Sequence, residues 1–113
     1  MTKHDINVDH QWFQAIAEKK KTVEGRLNRG KFANIRIGDV LRIISNGSGD
    51  AVEATVMAVR YYDSFSRYLR EEGLTMTLPG VKSLKDGVNI YYKYYSPMEE
   101  KEHGVAAIEI ELN

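Results

Sequence analysis

The sequence predicts an α+β fold, a small β-barrel of about five to six mostly antiparallel strands flanked by about three helices. Two apolar runs, VLRII and AVEATVMAVRYY, are separated by Asn46-Gly47 and Gly49-Asp50, a strong signal for an antiparallel hairpin. The last segment, GVAAIEIEL, alternates apolar and charged residues as a half-buried strand does. Helical patterns between the strands lack βαβ regularity, which favours a curled sheet with helices at its ends.

The composition limits the classes of function. The 113 residues contain no internal repeat and fit one domain over residues 1–113. Sixteen basic and sixteen acidic residues cancel, so the overall charge does not indicate a nucleic-acid-binding protein, although it leaves room for a local basic cleft. No apolar run approaches the roughly 20 residues that span a bilayer, so we expect no membrane association. The absence of cysteine excludes disulfides, thiolate catalysis and cysteine-ligated zinc.

The sequence also lacks common signals for export, metal binding and cofactor binding. The start, MTKHDINVDH, has no apolar core of a secretory signal, so we expect a cytoplasmic protein. The three histidines show no H-E-x-x-H spacing, and we expect no metal site. Neither a G-x-S-x-G elbow nor a phosphate-binding glycine loop is present, and we expect no cofactor.

The first half of the chain predicts a short strand over residues 5–8, a helix and then a second strand. Asp9 is a plausible N-cap, and Phe13 and Ile16 recur at helical spacing, so we expect the helix to extend to about Lys20. TVEGRL follows as a strand. A polar basic loop, NRGKFANIRI, then leads to a turn at Gly38-Asp39.

The second half predicts two more helices before the final strand. Ser64 caps FSRYLREE, which ends at Gly73. Ser83 and Asp86 resemble a capping box that opens LKDGVNIYYKYY, where we expect helix through the tyrosines. Pro97 and a charged turn follow. In the second strand of the hairpin, Val52, Ala54, Val56 and Ala58 are predicted to share one apolar face. In the last strand, Ile108, Ile110 and Leu112 are predicted to point inward.

The segment KKKTVEGRL contains an unusual cluster of charges. If it is extended from Thr22, then Thr22, Glu24 and Arg26 share one side and the opposite side is apolar. Gly25 has no Cβ and allows a ligand or another backbone to come close. With Lys21, these residues form either a site or an ordinary surface salt bridge with a solvated helix end.

These residue types suit a nucleotide ligand. Lys21 and Arg26 could contact phosphate or ribose oxygens, and Glu24 could accept a hydrogen bond from an exocyclic amino group. Trp12 or a tyrosine such as Tyr95 could stack on a base, at roughly 1–3 kcal/mol per base. A core position for Trp12 is the alternative.

Several motifs in order resemble those of the ASCH domain, a PUA-like family. They are KKKTVEGRL, IGDVLRI, LREE and the final KYYSPMEEKEHGVAAIEIEL, and the resemblance extends over residues 12–112. The resemblance implies a small β-barrel whose helices flank a cleft lined by the KKTVEGR segment. It also implies binding of RNA or modified nucleosides, with no cofactor.

Some members of that family resemble ribonucleases, and one bacterial branch removes the acetyl group of acetylcytidine with a lysine, a threonine and a glutamate. By the resemblance, the lysine falls on Lys21 and an accompanying arginine on Arg26. The glutamate falls near Glu71 or Glu72. Glu24 occupies the position of the threonine, and a carboxylate there cannot form the same acyl intermediate.

Three hypotheses of function follow. The first is an RNA- or modified-nucleoside-binding module with Lys21, Glu24 and Arg26 in a cleft and Glu72 and Tyr95 opposite; Trp12, Thr22 and Glu71 are further candidate ligand contacts. The second is an enzyme on the same cleft, with Lys21, Glu24 and Glu72 as catalytic residues. The third is a protein-interaction domain that uses the tyrosine-rich helix. The sequence leaves the oligomeric state open.

Overall fold

A curled five-stranded sheet organises the structure, a computed structural model that describes residues 1–113. The strands are β1 (Lys3–Val8), β2 (Val23–Leu27), β3 (Val40–Ser45), β4 (Ala51–Tyr62) and β5 (Val105–Leu112). The helices are α1 (His10–Ala17), α2 (Phe65–Glu72), α3 (Leu74–Thr77), α4 (Leu84–Tyr91) and α5 (Pro97–His103), and one 3-10 helix spans Gly30–Asn34.

The strand order across the sheet is β1-β3-β4-β5-β2. β1 pairs with β3 in parallel, and the other neighbouring strands are antiparallel. The β3–β4 hairpin forms as predicted, with Val40 opposite Thr55 and Ile44 opposite Ala51. The α+β fold with a curled, mostly antiparallel sheet is therefore confirmed. β1 and β2, the two ends of the order, do not pair with each other.

A bulge at Met57 bends β4 and changes which side chains face the core. The register with β5 shifts between Val56 and Ala58. Val56 is buried, and beyond the bulge it is Val59 that packs against the same apolar cluster. The predicted face is therefore right as far as Val56 and wrong for Ala58, because the extra residue inverts the alternation.

Two apolar clusters cover the two faces of the sheet. One fills the inside of the curl with side chains from β1, α1, β3, β4 and β5. The other lies between the sheet and helices α2 and α4. Because β5 runs between them, residues 105–108 are all fully buried. Alternation appears only beyond them, where Ile110 is buried and Glu111 is exposed.

The predicted caps of α2 and α4 are confirmed. The Ser64 hydroxyl accepts a hydrogen bond from the backbone N–H of Arg67, and Ser83 does the same for Asp86. On α2, Phe65, Tyr68 and Leu69 are buried, as their spacing predicts.

The structure has five α-helices, two more than the approximately three that the sequence predicts. α5 begins where a charged turn was predicted. Ser96 and Glu99 form a reciprocal capping box there, and Pro97 occupies the first helical position, where its missing N–H costs nothing. α4 also ends at Tyr91, so the following tyrosines lie in a turn rather than in a helix.

None of the helices combines the length and the apolar character that crossing a bilayer requires. No three His, Asp or Glu side chains are grouped so as to hold a metal ion.

Candidate functional site

A cavity of about 190 Å³ opens between the two end strands of the sheet. Arg26 of β2 crosses this gap, and its Nη2 donates a 2.6 Å hydrogen bond to the carbonyl oxygen of Asn7 in β1. We call this space the seam cavity. It is lined by Asn7, Val8, Asp9, Trp12, Lys21, Glu24, Gly25, Arg26, Asn46, Leu78, Ile90, Tyr91, Tyr94 and Tyr95.

The chain reverses after α1 and so places Lys21 in the cavity wall. The predicted extension of the helix to about Lys20 is wrong, because α1 ends at Ala17. Lys19 adopts a left-handed φ of 64°, and the N–H groups of Lys20 and Lys21 both donate to the carbonyl of Ala15. Lys19 and Lys20 stay in solvent, whereas the side chain of Lys21 is 1% exposed.

The ammonium of Lys21 is fully engaged by the protein. Its Nζ donates to the carbonyls of Val23 at 2.8 Å and Thr77 at 2.5 Å, and lies 3.2 Å from Oε1 of Glu24. Burial lowers the pKa of Lys21, and attraction to Glu24 offsets this only in part. Because three acceptors surround its three hydrogens, the ammonium of Lys21 has no free donor to offer.

Glu24 lies between two cations, which hold it ionised. Its Oε2 accepts a 2.8 Å hydrogen bond from Nε of Arg26, and its Oε1 faces Lys21. Burial alone would raise the pKa of Glu24, but the charges of Lys21 and Arg26 outweigh it and lower the pKa below its ordinary value. Glu24 is therefore a fixed anionic acceptor at the cavity.

Arg26 retains hydrogen-bonding capacity. Its guanidinium lies 4.9 Å from the ring centre of Phe32, a cation–π contact. Nε donates to Glu24 and Nη2 to the carbonyl of Asn7. Nη1 makes no hydrogen bond within the protein. Burial would lower the pKa of Arg26, but Glu24 raises it overall, so the group is a permanent donor.

Aromatic side chains form part of the cavity wall. Tyr95 stacks on Phe65 with 5.6 Å between ring centres and a 12° interplanar angle. The half-buried Trp12 ring lies 5.9 Å from Nζ of Lys21 and packs beside the cluster under α2 and α4. Trp12 thus packs against the core and also lines the cavity, and its stacking on a base stays a prediction.

Tyr94 crosses the rim of the cavity to Asp9. Its hydroxyl donates to Oδ2 of Asp9, although 56% of the residue is exposed. This contact raises the pKa of Tyr94 to about 12. Asp9 takes the N-cap position of α1 as predicted, but its side chain makes no capping hydrogen bond because it turns toward Tyr94.

Three predicted site residues lie outside the seam cavity. Thr22 precedes the first residue of β2, and its hydroxyl faces Met76 rather than the side occupied by Glu24. Glu71 is half exposed and 3.7 Å from Arg67. The predicted placement of Glu72 opposite Glu24 is wrong, because the last turn of α2 directs it toward β4.

Glu72 belongs to a separate ionic network, which we call the Arg60 brace: Arg60, Tyr62, Glu72 and Glu109. Nε and Nη2 of Arg60 each donate at 2.7 Å to the Glu72 carboxylate, and Tyr62 donates to it at 2.6 Å. Nη2 also donates to Glu109 at 2.8 Å. The hydrogen bonds from Arg60 are the main reason that the pKa of Glu72 is lowered.

Gly25 has a structural reason for being glycine. A Cβ at this position would lie 2.4 Å from Cζ of Tyr68, whose side chain is fully buried and whose hydroxyl is 3.0 Å from that of Tyr91. The predicted close approach at Gly25 is therefore made by a ring of the core. The backbone of Gly25 nevertheless lines the cavity.

The cavity also contains residues that the sequence did not single out as ligand contacts: Asn7, Asp9, Asn46 and Tyr94. The only signal for Tyr94 was its place in the YYKYY cluster. The others come together through the approach of β1 to β2 and through Asn46, whose N–H donates to the carbonyl of Val8. The combined site offers an ionised acceptor, a free guanidinium nitrogen and aromatic walls, without a free base.

Comparisons with known proteins identify relatives. A crystal structure of the hypothetical protein PH0355 matches with a TM-score of 0.91 and 36% identity, over 99% of this chain and 100% of that one. The solution NMR structure of PF0455 from Pyrococcus furiosus matches with a TM-score of 0.81 and 37% identity, over 98% and 97%.

More distant structures share the fold. The S128A mutant of ZmASCH from Zymomonas mobilis matches with a TM-score of 0.67 at 15% identity, over 95% of this chain and 66% of that one. A search of curated proteins gives no significant match. The family profile described as ASCH domain matches residues 6–113, nearly the whole sequence. The chain therefore belongs to the ASCH domain family.

Proposed function

We propose that the seam cavity binds a single nucleobase, presented by single-stranded RNA or by a modified nucleoside. The observation that carries this proposal is that aromatic side chains, the anionic acceptor Glu24 and the donor Arg26 line the same small cavity. ASCH domains generally bind RNA, and this site provides a physical means for it.

The size of the cavity favours one ring. A closed cavity of roughly 150 Å³ holds benzene, whereas drug-sized ligands occupy roughly 300–1,000 Å³. At about 190 Å³ and open on one side, the seam cavity suits a base whose sugar and phosphate remain outside. Unstacked bases of this kind occur in single strands, loops and free nucleosides rather than in duplexes.

The charges favour a neutral ring over a phosphate. Lys21 and Arg26 are balanced by Glu24 and Asp9 around the cavity, so there is no net positive pocket. Glu24 can accept from a base N–H while Nη1 of Arg26 donates to a ring nitrogen or carbonyl. Trp12 and Tyr94 supply faces on which a base can stack.

The two other hypotheses have less support. For an enzyme, Lys21 would have to exchange protons, but its three ammonium hydrogens face Val23, Thr77 and Glu24. For a protein-interaction helix, the tyrosines would have to be free, but the hydroxyls of Tyr92 and Tyr94 are bound to carboxylates of the same chain.

The single tryptophan gives a direct test of binding. We expect Trp12 fluorescence to change on titration with short single-stranded RNA. Tyr94→Ala should weaken binding by about 1–3 kcal/mol, roughly 5- to 150-fold, through loss of stacking. Tyr61→Ala is a matched control, because Tyr61 is 54% exposed, close to the 56% of Tyr94, and lies outside the cavity. No response to RNA or any nucleoside would refute the proposal.

Turnover is tested separately. The protein is incubated with acetylcytidine and with a short RNA, and the masses of both are measured. We expect both substrates to stay intact. Deacetylation or cleavage that disappears in Lys21→Met, while binding persists, would establish the enzymatic hypothesis instead.

A further inference from the structure

The edge of β2 that faces the seam cavity can be assigned residue by residue. The N–H of Ile110 donates to the carbonyl of Thr22, and the N–H of Asn28 donates to that of Gly104. In an antiparallel ladder, hydrogen-bonded and non-hydrogen-bonded residues alternate. Even-numbered residues of β2 therefore bond to β5, whereas the backbone groups of Val23, Gly25 and Leu27 point away from β5, toward the seam.

Side chains and turns engage this edge on both sides of Gly25. The carbonyl of Val23 accepts from Nζ of Lys21. The carbonyl of Leu27 accepts from the N–H of Arg29 at 2.8 Å, and the N–H of Leu27 faces the hydroxyl of Tyr95. Gly25 is the one position at which neither the N–H nor the carbonyl has a partner outside or inside the ladder. It is also the position that lines the cavity.

We propose that this open peptide edge of Gly25 reads the pairing edge of the base, which leaves Glu24 and Nη1 of Arg26 to contact the other polar groups of the same base. Its N–H donates to a ring nitrogen or carbonyl oxygen of the base, and its carbonyl accepts from the neighbouring N–H. This inference rests on the proposed function and names the atoms through which that function is specific. A buried backbone donor and acceptor without partners are costly, so a ligand that supplies both is favoured.

The geometry favours a planar base over a peptide strand. An exposed strand edge ordinarily invites another strand, which needs several consecutive open positions. Here Lys21 occupies the edge before Gly25, and Arg29 with Tyr95 occupies it afterwards. One open residue matches one donor–acceptor pair, which is what the pairing edge of a nucleobase presents.

Binding to a peptide edge predicts sensitivity to methylation of the base. Each base has an N–H next to an acceptor on its pairing edge. Replacing the hydrogens of that N–H with methyl groups removes the donor to the Gly25 carbonyl and places carbon against the strand. Stacking on Trp12 and Tyr94 would be unaffected. Edge-methylated bases should therefore bind at least tenfold more weakly than their parents.

The test is an amide NMR titration of the whole protein labelled with nitrogen-15. Each of the four nucleosides is compared with its edge-blocked analogue: 3-methyluridine, 1-methylguanosine, N4,N4-dimethylcytidine and N6,N6-dimethyladenosine. We expect the parent that binds to move the Gly25 amide proton downfield and slow its exchange, and the blocked analogue to do neither. The amide of Gly73, outside the cavity, serves as the reference.

The outcomes separate this inference from the proposed function. Equal binding of parent and blocked analogue, with shifts at the Trp12 indole but none at Gly25, would overturn base reading by the peptide edge and leave base stacking in place. Shifts at neither position with any nucleoside would overturn both. A shift at Gly25 with an unstructured peptide instead of a nucleoside would assign the edge to a peptide ligand and also overturn this inference.

Discussion

The seam cavity and the Arg60 brace use the same side-chain chemistry with different results. Each places a carboxylate against an arginine: Glu24 and Arg26 lie on the same strand, β2, whereas Arg60 of β4 contacts Glu72 at the end of α2. In the cavity, Arg26 leaves Nη1 without a partner and the cluster lines an opening. In the brace, the Glu72 carboxylate receives three hydrogen bonds, from Arg60 and Tyr62, and lies outside the seam cavity.

The difference shows that hydrogen-bonding groups left without a partner, rather than charge, distinguish a candidate site from a structural contact. Both networks lower the pKa of their glutamates, so a shifted pKa alone would have selected both. Of the two networks, only the one at the seam cavity has buried charges, a polar atom without a partner and an opening through which a ligand can enter. The two networks should therefore respond differently when their residues are replaced.

The largest expected effect is on stability when the buried network is broken. Lys21→Met leaves Glu24 with one cation and removes the donor to two carbonyls. We expect a loss of about 3–5 kcal/mol in the free energy of unfolding, measured by urea denaturation. Arg60→Met should cost less, about 1–3 kcal/mol, because Arg60 is 40% exposed and water can replace it.

Circular dichroism at low urea concentration would show that both variants are folded before their unfolding is compared. Equal losses would show that the two networks are energetically equivalent, and the distinction drawn from burial would then fail.

The charged residues of the seam cavity could be predicted from the sequence. KKKTVEGRL contains Lys21, Glu24 and Arg26, and the structure brings all three into one cavity with Trp12 and Tyr95. The local pattern was sufficient because residues two apart in a strand lie on the same face, which places Glu24 beside Arg26.

The placement of Glu72 could not be predicted in the same way. LREE indicates a helix end but not the direction in which that end points, and its partner Arg60 lies 12 residues earlier, in strand β4. Likewise, no local pattern shows that β1 and β2 become facing edges of the sheet, so the sequence does not predict Asn7 and Asp9 as cavity residues. Long-range topology, not residue type, carried the missing information.

The pH dependence gives the next, smaller test, and its sign matters. The folded pKa of Glu24 lies below its ordinary value of 4.5, so its ionised form stabilises the fold above that pH. This contribution is lost as the pH falls through the lowered pKa. We therefore expect the difference in unfolding free energy between the wild type and Glu24→Gln to shrink from about pH 7 to about pH 3.

Glu72→Gln should show the same sign, because the pKa of Glu72 is also lowered. A difference that grows on acidification for Glu24 alone would mean that Glu24 is protonated in the fold. Glu24 would then be an acid able to transfer a proton, and the enzymatic hypothesis would gain support over simple binding.

The smallest expected effect concerns a single hydroxyl in the brace. Tyr62→Phe removes one of the three hydrogen bonds to Glu72 but leaves both from Arg60. We expect a loss of about 1 kcal/mol in the free energy of unfolding and no change in RNA affinity. Urea denaturation and the Trp12 titration measure the two quantities. If Tyr62→Phe weakened RNA binding as much as Tyr94→Ala does, the brace would be coupled to the cavity, and its saturated hydrogen bonds would have to be regarded as part of the site rather than as support for the sheet.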